Sequence, residues 1–178
     1  IRNRYGLPGD FVLYIGTLEP RKNVEGLLAA WQQMDADIPL VIAGKPGWKY
    51  KNIFKAARKS KKHRSIQFLG FVSEEDKPYV LKLARVFAFP SFYEGFGLPV
   101  LEAMAVGTPV ITSSVSSLPE VAGDSALLVN PYNQQELTAA LDNLVTDEKL
   151  REQLISKALE RSKKFDWEKT ARETLKVL

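Results

Sequence analysis

The chain has 178 residues, the size of one domain, with 45% hydrophobic and 26% charged residues and a formal net charge of +4. A chain this long buries roughly 70% of the surface its unfolded form exposes, so it needs no metal or disulfide staple, and its composition excludes disorder, collagen-like structure and a coiled coil. It has no cysteine and one histidine, His63, which excludes disulfides, thiolate zinc sites, cysteine nucleophiles and two-histidine mechanisms.

Phe11-Val-Leu-Tyr-Ile15 is a short apolar run closed by Gly16, the pattern of a buried parallel strand. After a loop over Thr17–Lys22, Asn23 is placed to cap a helix whose Val24, Leu27, Leu28 and Trp31 recur at helical spacing. Pro39–Ala43 is the second strand, followed by Gly44, Pro46 and Gly47, and about residues 50–62 form a basic helix. Ser65–Leu69 is the third strand, ending at Gly70. Ser73, with Glu74, Glu75 and Asp76 after it, starts the next helix and puts acids at the positive end of its dipole. Val86–Phe89 and Pro109–Thr112 are the fourth and fifth strands, with a helix at about 98–106 between them. Ala126–Val129 is the sixth, and helices at about 133–145, 147–164 and 167–177 follow. Asp166 is placed to cap the last of these, while Trp31 and Trp167 read as packing residues.

Strands and helices alternate at least five times. The expected fold is therefore α/β: an open, doubly wound parallel sheet of about six strands, with helices on both faces. In such sheets ligands bind beyond the carboxyl ends of the strands, where the strand order reverses. No internal repeat or linker divides the chain, so residues 1–178 read as one domain. No apolar run approaches the ~18 residues of a membrane span, and residues 1–25 lack a signal-peptide core. A soluble, cytoplasmic protein is expected.

The chemistry concentrates in Ser91-Phe-Tyr-Glu94-Gly95-Phe96-Gly97-Leu98-Pro99-Val-Leu-Glu102, directly after the fourth strand. Pro99 suits a first helical turn, and Gly107 suits the position past the helix end. Gly95 and Gly97 let the backbone approach a ligand. The helix start offers N–H donors and about half a positive charge, a ready site for phosphate. Glu94 and Glu102 bracket these donors, and vicinal hydroxyls of a sugar or ribose are their natural partners. Taken singly, these pieces fit tight packing and surface charges as well. The loop after strand one, Gly16-Thr17-Leu-Glu-Pro-Arg21-Lys22-Asn23, adds two cations at the same sheet edge, because strands one and four are neighbours in a doubly wound sheet.

Glu94-Gly-Phe-Gly-Leu-Pro-Val-Leu-Glu102 resembles the Glu-x7-Glu signature of retaining GT-B glycosyltransferases of the glycogen-synthase and mannosyltransferase type. The resemblance runs from Phe11 to Trp167 and covers only the carboxyl-terminal, donor-binding half of such an enzyme. The amino-terminal acceptor domain would be absent from this chain, and catalysis by it alone absent or weak. The resemblance implies that Glu94 holds donor-sugar hydroxyls and Glu102 the ribose, and that amides of Phe96, Gly97 and Leu98 face sugar and diphosphate. Lys22 would neutralise the diphosphate, and backbone near Gly70, Phe71 and Val72 would flank the base. Many relatives carry Gly-Arg where this chain has Gly16-Thr17; Thr17 supplies no charge, and Arg21 is the available substitute. No metal or cofactor is implied. The resemblance implies a nucleoside-diphosphate sugar as donor, with GDP-mannose favoured over UDP-sugars.

Two other functional classes fit parts of the chain: a glycoside hydrolase, disfavoured by the phosphate-type donors between its two carboxylates, and a nucleotide-sugar binding module without turnover. The nine lysines and arginines between Lys45 and Arg64, with no acidic residue among them, read as a solvated helix face, with anionic membrane next and nucleic acid last. The membrane reading would make the protein peripheral at the inner face of the membrane. His63 lies in this run, where a surface role fits better than catalysis. Asp124, in a turn, reads as structural.

Overall fold

The structure, a computed structural model, describes residues 1–177; Leu178, the last residue of the expected domain, lies outside the described residues. Among the described residues six strands form one parallel sheet in the order β3-β2-β1-β4-β5-β6. They are β1 (Val12–Ile15), β2 (Leu40–Ala43), β3 (Ile66–Gly70), β4 (Val86–Phe89), β5 (Val110–Ser113) and β6 (Leu127–Val129). Every residue of β2, β4 and β5 is buried. Since successive strand residues point to opposite faces, both faces of the sheet must be covered.

The helices among the described residues are α1 (Arg2–Tyr5), α2 (Val24–Trp31), α3 (Lys51–Lys59), α4 (Lys77–Leu83), α5 (Leu98–Ala105), α6 (Leu118–Ala122), α7 (Gln134–Thr146), α8 (Glu148–Ser162) and α9 (Trp167–Leu175); α2 to α8 bury residues against the core, and α1 and α9 bury none. The longer ones follow apolar spacing. Val24, Leu27, Leu28 and Trp31 of α2 and Leu137, Leu141 and Leu144 of α7 are all buried. Trp31 also donates its indole N–H to the Ile38 carbonyl at 2.8 Å, which satisfies the one polar atom of a fully buried side chain.

Strand order reverses between β1 and β4. β1 pairs with β2 at four positions, Val12 to Ile15, but with β4 at only two, Val12 with Val86 and Leu13 with Phe87. The sheet therefore opens between β1 and β4 toward its carboxyl edge, where doubly wound sheets bind ligands.

Three local expectations change. Asn23 precedes α2 but does not cap it through its side chain; it sits at φ 55, and its amide donates to the Pro131 carbonyl at 3.0 Å. The hydroxyl of Ser73 accepts from the Asp76 N–H at 3.2 Å, but only a turn forms there and α4 begins at Lys77. Trp167 is 77% exposed, so it is not a core residue among the described residues, although Asp166 does cap α9 by accepting from the Glu168 N–H. Asp124 pairs with Lys157 at 2.8 Å on the surface. Among the described residues no helix is long and apolar enough to cross a membrane.

Candidate functional site

The loops after β1 and β4 are fastened to each other across the opening. The Phe92 N–H donates to the Arg21 carbonyl at 2.9 Å, and Arg21 Nη1 donates to the Tyr93 carbonyl at 2.6 Å. Residues Pro20–Lys22 form a single 3-10 turn, opened by a proline that fixes its own φ. That turn aims Arg21 and Lys22 at the β4 loop. Lys22 Nζ donates to Glu94 Oε1 at 2.7 Å, and Arg21 Nη1 to Glu94 Oε2 at 3.1 Å. Arg21 also donates to Glu19 at 2.8 Å, so two cations and two carboxylates balance here.

The pairs differ in burial. The Lys22 and Glu94 side chains are 11% and 9% exposed, whereas Arg21 is 42% exposed. Lys22 Nζ lies 5.0 Å from the Phe89 ring centroid, and Phe89 stacks on Tyr14. The Tyr14 hydroxyl, 3.2 Å from the Thr17 carbonyl, stays protonated: burial, helped by the charge of Glu94, pushes it well above the usual tyrosine range.

Glu94 is held from its other side by residues the sequence did not single out. Its N–H donates to Ser116 Oγ at 3.0 Å, and Ser117 Oγ lies 2.9 Å from the Glu94 carbonyl and 2.8 Å from that of Phe96. A signal for Ser117 exists in Ser117-Leu-Pro-Glu120, a capping-box pattern with an early proline. The helix does start there, but the hydroxyl is diverted to the Glu94 loop and caps nothing in α6.

Gly97 precedes α5 at φ 109, and no side chain caps this N-terminus. The first main-chain bonds at this helix start come from Val100, at 2.9 Å to the Gly97 carbonyl, and Leu101. The amides ahead of them are the orphan donors of a helix start. Position 97 demands glycine through its φ of 109, which side-chain-bearing residues rarely adopt, and a Cβ there would also come within 2.7 Å of a Leu118 methyl. Gly95 is different: a Cβ there meets nothing within 4 Å.

Glu102, on the second turn of α5, accepts from Lys77 Nζ at 2.7 Å, and Lys77 also reaches Glu74 at 2.6 Å. Burial alone would lower the Lys77 ammonium, but its hydrogen bonds to Glu102 and Glu74 outweigh this and raise it. Lys77 is thus a third cation facing a carboxylate of the motif, after Lys22 and Arg21.

The structure therefore gathers Lys22, Arg21 and Glu94 into direct contact, with Gly95, Phe96, Gly97 and Leu98 continuing from Glu94 into α5. Gly16 and Thr17 lie on the facing loop, Gly16 tight against Tyr14 and Thr17 exposed. Phe71 and Val72 follow β3 at the same sheet edge but two strands away from β1, and do not join the ion-pair cluster. Phe71 is exposed beneath Lys45, 4.3 Å from its ring, while Val72 is buried.

The sequence pattern of the family Glycosyl transferases group 1 matches residues 2–161. O-antigen chain mannosyltransferase B of Escherichia coli is 41% identical over 169 residues, which is 93% of this chain and 44% of that protein. The chain thus spans less than half the length of this curated relative. Among solved structures, sucrose-phosphate synthase from Thermosynechococcus elongatus superposes with a TM-score of 0.89 at 30% identity, covering 99% of this chain and 47% of that one. Anabaena HepE in complex with UDP and glucose superposes with a TM-score of 0.88 at 25% identity, over 99% and 51%. With its six parallel strands, the opening between β1 and β4 and the match along residues 2–161, this chain belongs to the group 1 glycosyltransferases.

Proposed function

We propose that the chain is the donor-binding half of a retaining hexosyltransferase, holding a nucleoside-diphosphate sugar for transfer to an acceptor bound elsewhere. The carrying observation is the buried Lys22–Glu94 pair at 2.7 Å, set beside the uncapped start of α5 where the sheet opens. GDP-mannose is the favoured donor, supported by the mannosyltransferase relative; UDP-sugars are second, supported by the HepE complex. No cofactor enters this reading.

Donor binding is then an exchange of partners. Lys22 moves from Glu94 to the diphosphate, and hydroxyls of the donor sugar replace it on the carboxylate. Lys77 and the ribose hydroxyls do the same at Glu102. Each carboxylate keeps charge-assisted hydrogen bonds throughout, so no buried charge is stranded. Phosphate oxygens also meet the free amides of Phe96, Gly97 and Leu98. When the anomeric C–O bond breaks, its electron pair leaves with the diphosphate. Lys22, Arg21 and the helix start stabilise that departing charge, worth several kcal/mol in a closed cleft. The new bond forms to the oxygen of an acceptor hydroxyl, whose proton passes to the departing diphosphate. On this reading the chain alone binds donor and transfers little or nothing.

Thermal-shift titrations with GDP, UDP, ADP and their sugar conjugates test the assignment. Stabilisation by one nucleotide series at millimolar concentration is expected. Glu102→Ala should weaken free nucleotide and conjugate alike, by about 10-fold or more, whereas Glu94→Ala should mainly remove the preference for the conjugate. No shift with any nucleotide counts against donor binding, and equal losses in both variants contradict the two roles.

A further inference from the structure

We propose that the basic face over residues 45–64 docks this domain on an anionic phospholipid bilayer, independently of nucleotide binding. With Lys51 at the origin, Lys51, Lys55, Arg58 and Lys59 fall within an arc of about 100° on α3, opposite Ile53 and Ala57. Those two are buried, and the four cations are exposed. Lys61 and Arg64 continue the exposed strip past the helix, and Lys49 precedes it.

What separates this strip from an ordinary charged surface is its lack of counter-charge. Among the described residues no ion pair involves any of the nine cations between Lys45 and Arg64, although eleven pairs form elsewhere. Such a surface leaves the whole positive potential available to an external anion.

The shape of the face and its aromatic residues choose between anions. A single-stranded nucleic acid site needs a groove with several rings free for bases. Here Phe54 is stacked on Phe68 at 4.4 Å, with Tyr50 edge-on to it. Trp48 remains, 68% exposed, with Lys49 Nζ 4.3 Å from its ring. A convex helix face of lysines with one exposed indole fits a flat anionic interface, where tryptophan sits at the headgroup level and basic clusters are held electrostatically. A bridge between Leu18 and Pro46 ties the loop bearing Trp48 to the loop after β1, so the Trp48 end of the docked face lies on the side of the sheet that carries Lys22 and Glu94.

Co-sedimentation of the 178-residue chain with vesicles tests this. Mixed phosphatidylglycerol and phosphatidylcholine vesicles should pellet it at low salt, and phosphatidylcholine alone should not. Raising salt toward 1 M shortens the screening length to about 3 Å and should release it. The triple variant Lys51→Glu, Lys55→Glu, Lys59→Glu should partition about 100-fold less or lower, while arginine at the same three positions should retain binding. Trp48→Ala should reduce partitioning several-fold. No pelleting of the unaltered chain by anionic vesicles at low salt, or equal pelleting by neutral ones, overturns the proposal. So does tighter binding to a single-stranded oligonucleotide than to anionic vesicles at equal phosphate concentration.

Discussion

Lys22→Ala should lower both stability and nucleotide affinity, through two separable causes. The side chain is 11% exposed and its partner Glu94 9%, so its removal leaves a buried carboxylate with Arg21 as its remaining cation. Losing the only partner of a buried charge costs ~3–5 kcal/mol, and the retained Arg21 contact brings the expected loss to about 2–3 kcal/mol. Affinity for a nucleoside diphosphate should fall by about 10–100-fold, the worth of one charge-assisted hydrogen bond to phosphate. The double variant Lys22→Met, Glu94→Gln separates the causes. Without a buried charge to strand, it should recover most of the stability while binding nucleotide no better than the single variant. Urea denaturation and calorimetric titration of the three proteins read the two quantities. Recovery of nucleotide binding in the double variant would show that Lys22 acts only through the fold.

Gly44→Ala should be the most damaging single methyl group near the site. Gly44 follows β2 at φ 145, and a Cβ there would lie 1.8 Å from the Gly16 carbonyl oxygen and 2.7 Å from its carbon. Backbone cannot swing aside as a side chain can, so the loop after β1 must move, carrying Arg21 and Lys22 with it. Positive-φ strain costs ~1–3 kcal/mol and overpacking a similar amount, giving about 3 kcal/mol or more and a fall in Tm of roughly 6–12 °C. Gly95→Ala is the control. Its φ is ordinary and its Cβ meets nothing within 4 Å, so stability should change by less than about 0.5 kcal/mol. Any loss of donor binding in Gly95→Ala then reports the ligand's approach to that backbone. A Gly44→Ala protein with unchanged Tm would refute the packing of the two loops.

The sheet was legible because its signals are local. Each buried strand is a run of apolar residues ended by glycine, proline or a polar turn, and parallel strands covered on both faces must read that way. The two loops that meet at the carboxyl edge followed from the alternation of elements alone. The pairing inside the site was not legible. Lys22 and Glu94 are 72 residues apart and Lys77 and Glu102 are 25 apart, so neither contact leaves a mark in a short window. Ser117 and α6 were passed over: the pattern Ser117-Leu-Pro-Glu120 marks the start of α6, but the hydroxyl is spent on main-chain oxygens 21 and 23 residues away, not on the helix end. Trp167 misled. Helical spacing marks an apolar face, but among the described residues nothing buries that of α9, whose residues are all exposed.

A crystal structure of the chain with GDP bound tests the exchange of partners most directly. The β-phosphate should lie within about 3 Å of Lys22 Nζ and of the amides of Gly97 or Leu98, with Lys22 drawn off Glu94. A diphosphate bound elsewhere, over an intact Lys22–Glu94 pair, would contradict it.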